Sequence, residues 1–175
     1  MDNRTMDKWE VIYKREQERG LNDKSAVNEQ AWIDFIRGLK IHHAVEIGTY
    51  KGLSTAFLAT VADHVWTFDI ADHSKRQNWI WHKAGLLDRI TFTQNRNAND
   101  VKRVLKDVDF DFAFIDGVIP AEELEKMFKI VKRCGRVLIH NAKPLPKYAE
   151  TTKFLNKVLK GDYARVGGHS VYWTA

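Results

Sequence analysis

Five polar residues stand where apolar runs stop. Glu46 ends the run that begins at residue 44, Asp69 follows 65–68, Asp116 follows 110–115, and His140-Asn141 follow 136–139. Carboxylates, an imidazole and an amide at such positions can accept hydroxyl or ammonium hydrogens, take up a proton or ligate a cation. An imidazole near its usual pKa of about 6.5 can deprotonate a hydroxyl or amine at neutral pH. The other histidines, His42, His43, His64, His73, His82 and His169, lack a metal spacing such as His-x-x-x-His and read as surface or core residues. His73, soon after Asp69, and His169, beside a glycine turn, are secondary pocket candidates.

The stretch that must position the first two acids is residues 44–70. It reads as strand, a turn through Gly48-Thr49-Tyr50-Lys51-Gly52, a small-residue helix over 53–62, a second strand over 65–68, and Asp69. The turn spacing is Glu-x-Gly-x-x-x-Gly. It lacks the glycines that let backbone close on a pyrophosphate, which argues against a dinucleotide or a nucleoside triphosphate. A ligand with a ribose and no phosphate fits better. Asp69, about 20 residues beyond the turn, can accept both ribose hydroxyls, and Glu46 can meet an ammonium group. S-adenosylmethionine (SAM) combines an amino-acid end, a ribose and an adenine without phosphate. The plainer reading is a βαβ unit whose glycines serve chain geometry and whose Asp69 caps a loop.

The segment Glu46-Ile47-Gly48-x-x-x-Gly52-x-Ser54, with Asp69 after it, resembles motif I and the following acidic motif of class I SAM-dependent methyltransferases. It is similar to the small O-methyltransferases of the catechol and cephalosporin-hydroxylase-like types, over residues 25–175. The resemblance implies cofactor contacts at Glu46, Gly48, Thr49, Tyr50, Gly52, Ser54, Asp69, Ile70, Asn97, Ala98 and Asp116, with Asn97 and Ala98 at the adenine edge. It also implies that Asp116 and His140 are catalytic. In catechol-type enzymes the fourth strand ends in a metal-binding Asp and the fifth in Asp-Asn. Carried over, the metal ligands are Asp116, His140 and Asn141, with His140 in place of an acid. Magnesium prefers oxygen donors, whereas manganese, iron or zinc accept imidazole. Three readings stay open: a divalent metal (Mn, Fe, Zn or Mg), a metal-free His140 base, or residues that merely satisfy backbone at a strand end. A second departure is Ile119, which stands where the relatives carry a catalytic lysine or a histidine. The run after Asp116 also lacks the Asn/Asp-Pro-Pro-aromatic pattern of DNA amino-methyltransferases. The expectation is methylation of a small-molecule acceptor, most directly at oxygen. One alternative is a SAM- or SAH-binding protein (SAH, S-adenosylhomocysteine) with lost or altered activity; another, an NAD-type dehydrogenase, is opposed by the glycine spacing.

Around this centre the pattern predicts helices over 6–20 and 25–39, the second capped by Ser25, then a helix after a short loop within 71–87 and helices over 100–106, 122–133 and 148–159. Further strands are expected over 90–93, 110–115 and 136–139, with a closing hairpin of 163–166 and 170–173 across Gly167-Gly168. The fold class is α/β: a Rossmann-like class I methyltransferase with a seven-stranded, mostly parallel sheet, an antiparallel C-terminal hairpin and helices on both faces. One domain, 1–175, is expected, with N-terminal helices in 1–40 and the core in 41–175. Residues 22–30 either cover the cofactor, as the resemblance implies, or pack on the sheet. Apolar residues at 44% and charged ones at 29% describe a globule, and no run approaches the roughly 18 apolar residues of a membrane span. The polar, acid-containing N-terminus is unlike a secretory or transit signal. The net charge of +5 is scattered, which disfavours a nucleic-acid face. Cys134 is the only cysteine, so no internal disulfide forms and a reducing, cytoplasmic setting is expected. A homodimer stays open.

Overall fold

The computed structural model describes residues 3–18, 26–143 and 145–175. Seven strands form one sheet: β1 (His43–Ile47), β2 (His64–Asp69), β3 (Ile90–Gln94), β4 (Phe112–Ile115), β5 (Arg136–Ile139), β6 (Ala164–Val166) and β7 (Ser170–Thr174). Their order is β3-β2-β1-β4-β5-β7-β6, parallel except where β7 pairs antiparallel with β5 and β6. The expected fold class is therefore the one observed. The helices are α1 (Asn3–Glu18), α2 (Gln30–Arg37), α3 (Leu53–Val61), α4 (Ser74–Ala84), α5 (Ala98–Leu105), α6 (Ala121–Val131) and α7 (Ala149–Phe154).

Period-two alternation sorts the sheet residues onto two cores. Ala44, Phe112, Phe114 and Leu138 face a cluster containing Trp9, Trp32, Phe57 and Trp81 from α1 to α4. Val45, Ile47, Ala113, Ile115, Val137 and Ile139 face a second, containing Val101, Leu124, Phe128 and Phe154 from α5 to α7. Every residue of β4 is buried, as a strand covered on both faces requires. At the amino ends, Arg136 donates to the Asp111 carbonyl (2.7 Å) and to Asp111 Oδ2 (2.5 Å), while Asp111 Oδ1 accepts from the His43 amide (2.9 Å). That clamp ties β1, the entry to β4, and β5 into one register.

Several boundaries move, each for a local reason. The second predicted helix is shorter: a 3-10 turn (Ala26–Asn28) precedes Glu29, which stands at the N-cap of α2. Ser25, its expected cap, lies outside the described residues with the rest of 22–25. Helix α4 starts at Ser74 after the expected short loop, in which Asp69 and Asp72 take up the amides of Ala71 and Ser74, and it ends at Ala84. Helix α5 starts at Ala98 because the Asn97 side chain accepts from the amides of Asn99 and Asp100. The last helix is composite, a 3-10 turn (Pro146–Tyr148) followed by α7 and a π-helical stretch (Leu155–Leu159).

The crossover point lies between β1 and β4, whose exits touch. Gly48 has φ of +103°, and a β-carbon placed there would lie 1.5 Å from the Asp116 carbonyl oxygen. No side chain fits. Gly48→Ala should therefore cost about 3 kcal/mol or more, from positive-φ strain together with overpacking. Urea denaturation measures this directly; a loss below about 1 kcal/mol would show that the two exits can separate.

Candidate active site

The strand exits converge through backbone hydrogen bonds. The Gly48 amide donates to the Phe68 carbonyl (2.8 Å), Asp116 to Ile47 (2.8 Å), His140 to Ile115 (2.9 Å) and Asn95 to Asp69 (2.9 Å). These bonds bring Glu46, Asp69, Asp116 and His140-Asn141 to one edge of the sheet, where ligands bind in this architecture.

Glu46 is fully buried rather than open at the mouth of β1. Its Oε2 accepts from the hydroxyls of Thr67 (2.7 Å) and Thr55, and Thr67 in turn meets the Thr49 hydroxyl (2.6 Å). Burial pushes its carboxyl up to about 7, with the hydroxyls of Ser54, Thr55 and Thr67 opposing and Asp69 adding to the rise. Thr55 and Thr67 were not singled out from sequence, although their placement on the first turn of α3 and beside β1 carried the signal. Thr49 and Ser54 thus serve the acid, and both are buried.

Asp69 holds the turn: its Oδ2 accepts from the Tyr50 amide (2.6 Å) and Oδ1 from the Ala71 amide (2.9 Å). Tyr50 sits at φ of +45° with its carbonyl accepting from Gln77 Nε2 (2.7 Å), and His73 packs edge-on against its ring at 5.3 Å. Gly52, also at positive φ, starts α3 and passes its carbonyl to Trp81 Nε1 (2.9 Å). Ile70 beside Asp69 is exposed. Asn97 and Ala98, expected at the adenine edge, are otherwise engaged: Asn97 caps α5 and the Ala98 amide donates to Glu123 Oε1.

The site can accept an aminoacyl-adenosyl ligand. Glu46 Oε1 and Asn95 Oδ1 are buried acceptors with no hydrogen-bond partner among the described residues. A ligand bringing amine hydrogens would supply what they lack. The Gly48 turn carries no side chain between those tips.

On the acceptor side the expected trio divides. Asp116 and Asn141 pair, Asn141 Nδ2 donating to Asp116 Oδ1 at 2.9 Å, with Asn141 at φ of +60°. Burial, Glu46 and Glu29 push the half-buried Asp116 carboxyl up to about 8, against the Asn141 amide and the Ala26 backbone amide. His140 is buried with Nδ1 3.0 Å from Ser170 Oγ and its ring stacked on His169. Burial, then His169, pulls its pKa down to about 4. With Asn141 joined to Asp116 through its amide nitrogen and His140 turned to the β7 side, the trio does not fit a magnesium site. His169, a secondary pocket candidate for its place beside the glycine turn, is one neighbour of His140 there; Glu29, which lies against His169, had no local spacing to announce it.

Folding raises the Glu46 pKa from 4.5 to about 7, so the folded protein holds this proton more tightly than the unfolded chain. This contribution is full below pH 4.5 and is lost as pH rises through about 7, by at most about 3 kcal/mol. Glu46→Gln should remove it. Urea unfolding at pH 4.5 and 8 should show the variant gaining on the parent chain as pH rises, whereas a constant difference would mean Glu46 is ionised throughout.

Known proteins place this geometry in a family. A family described as "Methyltransferase domain" matches residues 45–142, more than half of the chain. No curated protein matches the chain. Among solved structures, an O-methyltransferase from Bacillus cereus in complex with SAH is 18% identical with a TM-score of 0.71, the match covering 97% of this chain and 91% of that one. The O-methyltransferase TomG from Streptomyces achromogenes, in complex with SAM, is 18% identical at a TM-score of 0.68, covering 100% and 91%. An SAH-bound methyltransferase from Podospora anserina is 17% identical at 0.70, covering 100% and 89%. At such identities the likeness is one of fold. The match across β1 to β5 goes further, and on it this chain belongs to the methyltransferase-domain family.

Proposed function

We propose that the chain transfers a methyl group from SAM to a hydroxyl oxygen of a small, largely apolar acceptor. The observation that carries this reading is the pair of strand-tip carboxylates, Glu46 and Asp69, at a crossover that offers no phosphate cradle. Asp69 takes the ribose hydroxyls and Glu46 the ammonium end. Tyr50, Ile70, Val118 and Leu145, on the loops after β1, β2, β4 and β5, are exposed by 41%, 71%, 73% and 40%. Of the exposed large apolar residues, these four share the ligand edge, which supports an apolar acceptor.

SAM supplies the activated methyl; the chain aligns it with the acceptor oxygen and removes the hydroxyl proton. Asp116, steadied by Asn141, is the group placed to take that proton. His140, buried against Ser170, is left to the neighbouring cluster. Ile119 in place of a lysine favours a second reading, an adenosyl-binding protein without turnover. The single thiol, Cys134, fits a reducing cytoplasm, and the 175 residues read as one catalytic unit. No helix among the described residues is long and apolar enough to cross a membrane.

Calorimetry with SAM, SAH and NAD should show one site for each of the first two and none for NAD. Asp69→Ala should weaken SAM binding about tenfold or more. NAD binding, or no adenosyl binding at all, would overturn the assignment. Over a panel of phenols and aliphatic alcohols, Asp116→Asn should lower kcat about 100-fold or more with SAM affinity within about threefold. Binding without turnover across the panel would favour the second reading.

A further inference from the structure

We propose that Glu29, His140 and His169 form a binding site for a divalent transition-metal ion, with zinc as its best-matched occupant. The proposal is independent of methyl transfer and of the adenosyl ligand. The three residues come from the N-cap of α2, the end of β5 and the turn that leads into β7. One ligand atom from each lies within 4.8 Å of the others.

The turn is built to make this approach. Gly167 has φ of +60°, and a β-carbon there would stand 2.9 Å from Ala31 Cβ and 3.4 Å from Glu29 Oε2. The hairpin therefore rests directly on the start of α2. The Ala142 amide donates to the His169 carbonyl (2.8 Å), which fixes the turn against the exit of β5. His169 Nδ1 lies 3.4 Å from Glu29 Oε1, and the His140 and His169 rings stack at 5.8 Å with planes 16° apart.

Two features of the cluster ask for a ligand. Glu29 Oε2 is buried with no hydrogen-bond partner among the described residues, although a carboxylate oxygen out of water costs free energy unless paired. His140 is already oriented by Ser170, whose Oγ lies 3.0 Å from Nδ1; in the tautomer whose Nδ1 donates there, Nε2 keeps a lone pair for a metal, the pattern of an outer partner that sets a ligating histidine. Two imidazoles and one carboxylate suit zinc and its neighbours and suit magnesium or calcium poorly. Three protein ligands also leave a fourth position of a tetrahedral ion for water. Lys143 faces Glu29 as well and competes for its charge.

The test titrates metal-free full-length protein with Zn²⁺ by calorimetry and with Co²⁺ by visible absorption. One ion per chain is expected, with tetrahedral Co²⁺ bands and no displacement by excess Mg²⁺. Glu29→Gln, His169→Ala and the milder His169→Gln should each weaken Zn²⁺ about tenfold or more. Lys143→Ala should tighten it, and Asp116→Asn should leave it within about threefold. Melting curves in chelator, matched to the parent, identify the variants to be compared; where His169→Ala melts early, His169→Gln replaces it. Absence of one-to-one binding, equal affinity in the Glu29 and His169 variants, or a loss in Asp116→Asn as large as theirs would overturn the proposal.

Discussion

The contact between the exits of β1 and β4 governs what this edge of the sheet can do. Gly48 lies so near the Asp116 carbonyl that no other residue fits, and its amide is donated across to Phe68 on β2. Three strand ends are thereby fixed at once. The turn after Gly48 then has one course, in which Tyr50 takes a left-handed conformation and gives its amide to Asp69. Asp69 is consequently committed before any ligand arrives: each oxygen already accepts one backbone amide and keeps a lone pair for a hydroxyl. A ribose there meets a carboxylate that need not reorganise, which is how preorganisation lowers the cost of binding.

Much of this was legible in the chain because strand burial writes itself in period two. Phe112 to Ile115 and Val137 to Ile139 alternate between two cores, and the polar residue that ends each run marks the exit. The glycine spacing of the first turn likewise points to a phosphate-free ligand, because it lacks the further glycines that let backbone close on a pyrophosphate. Asn97 also carries a local signal. Its place before Ala98 and Asn99 is an N-cap signature, and in the structure that local bond holds its side chain oxygen.

His140 and Glu46 were less legible, for a different reason. Both were placed correctly along the chain, but their partners come from elsewhere. Glu46 is enclosed by hydroxyls from α3 and β2, and His140 by Ser170 and His169 from an antiparallel strand far along the sequence. Pairing of β7 with β5 decides that environment, and no spacing around residue 140 encodes it. Glu29 is further removed still: it reaches His169 only because Gly167 lets the hairpin lie on α2.

Seen together, the acids at this edge explain why a cationic ligand suits it. Burial, then Glu46 and Glu29, raise the tendency of Asp116 to hold a proton, and Asp69 adds to the effect of burial on Glu46. Crowded, half-desolvated carboxyls repel when ionised, and a positive group among them relieves that cost. SAM brings two positive charges, at the sulfonium and the ammonium, where its demethylated product keeps only the ammonium. Transfer of the methyl group thus removes a charge from the centre of an acidic site, weakening the attraction for the product relative to the substrate.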